Sequence, residues 1–125
     1  MKLNIERLQE NLKIQCHECH GLCCVALYFS KIDGFPEDKL AGNPCNHLLD
    51  NNQCHIYNSL KEMKMKGCMI YDCFGAGQIV SQKLPSWRSS ENAMVIFGVF
   101  QKVVLNSNRC LVISLMLIIF IRIFN

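Results

Sequence analysis

The stretch that decides the fold is Cys16-His17-Glu18-Cys19-His20-Gly21-Leu22-Cys23-Cys24, a C-x2-C-x3-C-C pattern. Two residues between thiols let a tight turn aim both sulfurs at one ion, at about 2.3 Å for zinc. Gly21 leaves the backbone free to wrap around an ion, because it has no side chain. A tetrahedral site needs four ligands, so others must return from more distant sequence.

Cysteine is the unusual residue of the chain. Nine occur among 125 residues, and eight of them fall between Cys16 and Cys73. A composition with 50% hydrophobic and 18% charged residues excludes a disordered chain, but packing alone does not require C-x2-C spacing. We therefore predict metal ligation by these thiols, as two four-ligand sites or one shared cluster: Cys16, Cys19, Cys23, Cys24, Cys45, Cys54, Cys68 and Cys73.

The N-terminus bears on the compartment, and therefore on the state of the thiols. It has neither the apolar run nor the cleavage site of a secretory signal. Leu3, Leu8 and Leu12 recur at helical spacing between charged residues, which predicts an amphipathic helix over residues 3–14. We therefore expect a cytoplasmic protein with reduced thiols, where metal binding is favoured over disulfides.

All four histidines lie among the cysteines: His17, His20, His47 and His55. An imidazole nitrogen is also a common zinc ligand. Singly, each histidine is typical of a surface residue or of one that orients a ligand. Whether one of them completes a site is left open by the sequence.

Two further helices are predicted. Ser59 and Glu62 have the spacing of a capping box, so the second helix would begin at Asn58 or Ser59 and end at Gly67. A tight turn is expected at residues 74–77. The third helix would begin at Ser89 or Ser90 and bury one face: Ala93, Phe97, Phe100 and Val104.

The last twenty-one residues differ from the rest. From Cys110 to Ile121 only Ser114 is polar, yet a membrane span needs about 20 apolar residues. We expect residues 105–125 to be a buried or disordered tail, with weak membrane or protein contact through residues 110–121 as the alternative. A further hypothesis is that this tail is a frameshift or truncation product, which leaves residues 1–104 as the domain and 16–78 as its core.

The fold class predicted is a small, mostly-α, irregular cysteine-rich domain, stapled by metal and containing three short helices. The net charge of +3 forms no basic stripe, so no nucleic acid partner is predicted. No spacing requires a catalytic triad or a phosphate loop, so catalysis is not expected.

The cysteine pattern also resembles a known family. C-x2-C-x-G-L-C-C, then Pro44-Cys45-x2-Leu48, then Cys54-x-Ile56-Tyr57 is similar to the bacterial YkgJ-type zinc- or iron-chelating cysteine-cluster family. Residues 67–78 resemble a narrower group, in which a cysteine-rich N-terminal segment precedes pentapeptide repeats or stands alone. The resemblance implies metal chelation by the family's cysteines: Cys16, Cys19, Cys23, Cys24, Cys45, Cys54 and Cys68.

The chain departs from that family in two places. Lys66-Gly67 stands where the family has arginine-proline, and no pentapeptide repeats follow. The predicted function is the binding of zinc or of iron, with an iron–sulfur cluster as one form of the latter, in an undefined cellular role. The alternatives are a thiol redox protein that uses Cys16/Cys19 or Cys23/Cys24, and a membrane- or partner-associated protein with a structural metal site.

Overall fold

The structure is a computed structural model that describes the backbone of residues 2–124 and the side chains of residues 5–124. It contains the α-helices α1 (Lys2–Asn11), α2 (Leu22–Ala26), α3 (Lys66–Ile70), α4 (Ala76–Lys83) and α5 (Ala93–Phe124). Short 3₁₀ helices lie at Cys16–Glu18, Lys31–Asp33 and Tyr57–Ser59. Within residues 2–124 there is no strand, and the β-bridges are Phe29–Lys39 and Leu48–Cys54.

The prediction of a small, mostly-α domain is therefore confirmed, while the count of three short helices is wrong. The predicted first helix corresponds to α1, which ends at Asn11 rather than at residue 14. The predicted third helix corresponds to α5, which begins at Ala93 and runs for 32 residues. The short helices α2 and α4 have too few apolar repeats for periodicity to reveal them.

A first core lies where α2, α4 and α5 meet. The predicted face of α5 supplies Phe97 and Phe100, and Ile96 joins them. Phe100 is fully buried, and Ala93 and Val104 pack at the edge of the same cluster. The buried members of the first core are Leu22, Val25, Ala26, Cys73, Ala76, Val80, Ile96, Phe97 and Phe100.

A second, smaller core lies under the irregular segments. It consists of Phe29, Phe35, Ile56 and Met65. The rings of Phe29 and Phe35 stack with their centroids 5.0 Å apart. Leu27 packs against both cores and so links them.

The carboxyl end of α2 holds the two parts together. Its last carbonyls have no partner within the helix, and buried carbonyls need one. The Cys45 N–H donates to Cys24 O at 2.8 Å, and the Gly42 N–H donates to Val25 O at 2.8 Å. The buried ammonium of Lys39 donates to the carbonyls of Val25 and Leu27. These bonds fix the loop of residues 39–45 against α2.

The helix predicted from Asn58 or Ser59 to Gly67 is wrong. The segment makes a 3₁₀ turn and then reverses at Lys64, whose φ is +56°. The reversal buries Met65 in the second core, and this burial outweighs the local capping signal. Gly67 lies inside α3, where a Cβ would stand 2.6 Å from the Asp33 Cβ, so it serves close packing rather than helix termination.

The turn predicted at residues 74–77 is correct for its first half. Phe74 and Gly75 both have positive φ, of 52° and 79°. Helix α4 then begins at Ala76. Its buried Gln78 donates from Nε2 to Lys13 O at 2.7 Å and so ties the segment after α1 to α4.

The tail forms the second half of α5 and is helical and largely exposed, rather than buried or disordered. No break separates it from the part that builds the first core. Ser107 and Ser114 are buried, and Gln9 Nε2 of α1 lies 3.4 Å from Ser114 Oγ as its hydrogen-bond donor. Among the described residues, α5 is the one helix long and apolar enough to cross a membrane, with a mean hydropathy of 2.0 over 18 residues.

We predict that Phe100→Ala lowers the free energy of unfolding by about 3–5 kcal/mol, because it leaves a cavity in the first core. Phe120→Ala is the matched control: this ring is 58% exposed on the same helix, and its removal should change stability by less than about 0.5 kcal/mol. Chemical denaturation of both variants measures the difference. Equal losses would show that the first core does not control stability.

Candidate metal centre

One cavity of about 650 Å³ brings the predicted ligands together. All eight cysteines of the sequence pattern line it: Cys16, Cys19, Cys23, Cys24, Cys45, Cys54, Cys68 and Cys73. Cys110 lies apart, exposed on α5. The separation of eight cysteines from the ninth is thus also a separation in space.

Different elements carry these side chains to the cavity. Cys16 starts a 3₁₀ helix and Cys19 follows it, while Cys23 and Cys24 are neighbours on α2. Cys45 and Cys54 lie in the irregular segment, Cys68 lies on α3, and Cys73 lies between α3 and α4. All nine cysteines are free thiols.

The thiols share the cavity without yet surrounding one point. Among the described residues, no three His, Cys, Asp or Glu side chains are close enough together to hold an ion as they stand. The sulfurs of Cys23 and Cys24 lie 4.0 Å apart. A change of rotamer moves a cysteine sulfur by roughly 3 Å. Ligation would therefore require side-chain rotation.

Burial keeps most of these thiols protonated. It raises the pKa of Cys16 to about 11 and that of Cys68 to about 12, with neighbouring thiolates adding to both. Burial also raises the pKa of Cys19, Cys45 and Cys54. A metal ligand must be a thiolate, so an ion would have to displace these protons.

The pKa values of Cys23 and Cys24 are shifted in opposite directions. The hydrogen bond between their sulfurs, followed by burial, raises the pKa of Cys23. The same bond lowers the pKa of Cys24, and the charge of Lys39 lowers it further, against the effect of burial. Of this pair, Cys24 is therefore the thiol that ionises more readily.

Lys39 is a residue of this cavity that sequence reasoning missed. It is only 8% exposed and lines the cavity beside the thiols. Its ammonium is held by the carbonyls of Val25, Leu27 and Leu40. No motif marks a lysine in a loop as buried, so only the fold reveals a cation beside the cysteines.

The histidines divide into two pairs. His17 and His47 line the cavity. The backbone of His20 is held by two bonds: its N–H donates to Ser81 Oγ at 2.8 Å, and its carbonyl accepts from Trp87 Nε1 at 2.8 Å. These bonds fix the loop after Cys19 against α4 and the segment that precedes α5. The side chains of His20 and His55 do not line the cavity.

Gly77 on α4 allows the closest approach of helix and thiols. A Cβ at this position would lie 2.6 Å from Cys19 Sγ and 3.8 Å from Cys73 Sγ. The backbone of Gly77 thus lies against both sulfurs. It is a second residue of the site that the cysteine pattern did not indicate.

The chain is similar to the uncharacterized protein YybG of Bacillus subtilis (strain 168), with 44% identity over 99 residues. The match covers 76% of this chain and 36% of the relative, so the chain spans about a third of the length of the curated relative it matches. No protein-family model matches the chain. No solved structure matches it. Membership of the YkgJ-type family therefore stays a prediction.

We predict that Gly77→Ala destabilises the protein by about 1–3 kcal/mol through overpacking against Cys19, and weakens zinc binding. Gly98→Ala is the matched control, because nothing lies within 4 Å of a Cβ there. It should stabilise α5 by about 0.5–1 kcal/mol, the ordinary gain of alanine over glycine in a helix. Denaturation and zinc competition titrations test both variants, and a stabilising Gly77→Ala would contradict the close contact.

Proposed function

We propose that this chain is a metal-binding cysteine-cluster protein of the reducing cytoplasm. The metal it holds is zinc or iron, and an iron–sulfur cluster is one form of the iron site. The observation that carries the proposal is the cavity lined by eight thiols from separate segments of the chain. Thiolate ligands suit both zinc and iron–sulfur clusters. The resemblance to the YkgJ-type family supports the same function.

The small size of the second core supports a structural role for the metal. The second core contains four buried residues, and few regular backbone bonds hold residues 27–65. Units of about 40 residues with so little apolar burial commonly depend on metals or disulfides. Zinc in four-ligand sites supplies about 10–16 kcal/mol of binding free energy at pH 7, which becomes folding free energy.

The thiol redox alternative has weaker support. The thiolate is the nucleophile in such enzymes, whereas burial raises the pKa of both Cys16 and Cys19. In the pair Cys23/Cys24, one thiol has a lowered pKa and the other a raised one. Redox use of that pair stays a prediction.

We predict that protein purified without oxygen carries stoichiometric zinc, or iron together with sulfide. Chelation should lower the melting temperature and the helical circular dichroism, because the thiols then lose the ion that draws their segments together. Elemental and sulfide analysis, before and after chelation, measures both effects. The control is Cys110→Ser, which lies outside the cavity and should retain the full metal content. Absence of zinc and iron from the protein would refute the function.

A second candidate function is contact with a bilayer surface through α5. Large apolar side chains between Leu105 and Phe124 are exposed, and this stretch carries Arg109 and Arg122 with no acidic residue. Exposed apolar stripes beside basic residues bind anionic bilayer surfaces. The polar helix α1 contacts α5 at Ser114, with Glu10 exposed nearby in sequence. A charged helix at that level favours a surface position over a span.

We predict that the full chain floats with vesicles of anionic lipid. Met116→Gln and Phe120→Gln together should reduce flotation, since each side chain is more than half exposed and leaves the cores intact. Met94→Gln, at an equally exposed position near the start of α5, is the control and should float as the unaltered chain does. Bilayer contact through the tail would be contradicted if the unaltered chain did not float, or if the double variant floated equally well.

A further inference from the structure

We propose that the eight cysteines form two separate metal centres of four thiolates each. The first centre is made by Cys16, Cys19, Cys23 and Cys73, and the second by Cys24, Cys45, Cys54 and Cys68. This inference rests on the proposed metal-binding function and adds which thiols share an ion. Four thiolates suit one zinc ion or one iron–sulfur cluster.

The two hydrophobic cores divide six of the eight cysteines in this way. Cys73 belongs to the first core, and Cys19 and Cys23 pack against it. Cys45, Cys54 and Cys68 pack against the second core. Each centre would therefore lie against its own apolar cluster, which shields the metal–sulfur bonds from water.

Contacts within the first group support its membership. The sulfurs of Cys19 and Cys73 both lie within 3.8 Å of the position that a Cβ of Gly77 would occupy. Cys16 is joined to Cys19 by a 3₁₀ turn, in which the Cys19 N–H donates to Cys16 O at 3.2 Å.

Contacts within the second group are equally consistent. The backbone bond from Cys45 N–H to Cys24 O holds these two residues side by side. The bridge Leu48–Cys54 and the bond from Leu48 N–H to Cys45 O bring Cys54 to the same loop. Cys68 joins this group through the second core, against which it packs together with Cys45 and Cys54.

The boundary between the groups falls between Cys23 and Cys24. Their sulfurs lie 4.0 Å apart, but successive side chains on a helix point in directions about 100° apart, so a change of rotamer directs each sulfur to a different ion. Cys23 packs against the first core, whereas Cys24 is held beside Cys45 by the bond from the Cys45 N–H to Cys24 O. Helix α2 thus presents one cysteine to each group, which explains why the pair is adjacent.

The charges around the two groups also differ. A zinc ion with four thiolates carries a net charge of −2, and burying that charge needs compensation. Lys39 lies in the same loop as Cys45, and its ammonium donates to Val25 O, the carbonyl next to Cys24 in the chain. The buried ammonium therefore stands where the second centre needs a cation.

The test counts and assigns ions on the full chain. Zinc-loaded protein should hold two zinc ions, and Cys16→Ser and Cys54→Ser should each retain one after passage over a chelating resin. Cys110→Ser, outside both groups, should retain two. A second measurement needs no variant: with cadmium-113 in place of zinc, the spectrum should contain two resonances, each coupled to the β-protons of one group of four cysteines.

The outcomes separate this inference from the function on which it rests. Protein that binds no zinc, cadmium or iron overturns both. Protein that binds metal but loses all of it in either variant, or whose cysteines couple to two cadmium ions at once, has one shared cluster and overturns the division. Coupling of Cys23 and Cys24 to the same single ion overturns it as well.

Discussion

The carboxyl end of α2 is the constraint on which the rest of the structure depends. Its unpaired carbonyls accept bonds from Lys39, Gly42 and Cys45, which all lie in a loop without regular structure. A buried carbonyl without a partner costs about 1–3 kcal/mol, so this loop has a defined position. Once it is fixed there, the two cores adjoin and Cys45 lies beside Cys24.

This arrangement explains why a segment poor in secondary structure can be specific. Regular helices satisfy their own backbone groups, whereas residues 27–65 must find partners among side chains and distant loops. Ser30 and Asp33 do so locally, because they form a reciprocal capping box around a 3₁₀ turn. Arg88 is a long-range partner for this segment, since it donates to Asn52 Oδ1 and to the carbonyl of Leu49. In residues 27–65, many separate hydrogen bonds thus take the place of one large core.

The sequence predicted what depends on periodicity and chemical type, and it failed where tertiary contacts decide. The apolar face of α5 was readable because Phe97 and Phe100 repeat at helical spacing. The gathering of eight cysteines in one cavity was predicted because C-x2-C spacing is typical of metal ligands. The segment after Ser59 was not, since burial of Met65 overrides its capping signal. The burial of Lys39 and the close approach at Gly77 depend on residues far apart in the chain, and so does the grouping of the thiols.

Helix α5 has a mechanical consequence. The same unbroken helix contributes Phe97 and Phe100 to the first core and then continues to Phe124. At 1.5 Å per residue, the part beyond Phe100 extends for roughly 36 Å. This part is a rigid extension of the domain, because a helix transmits rotation about its axis and tilt along its length. A partner or surface that binds the far end of α5 therefore sets the orientation of the whole cysteine-lined domain.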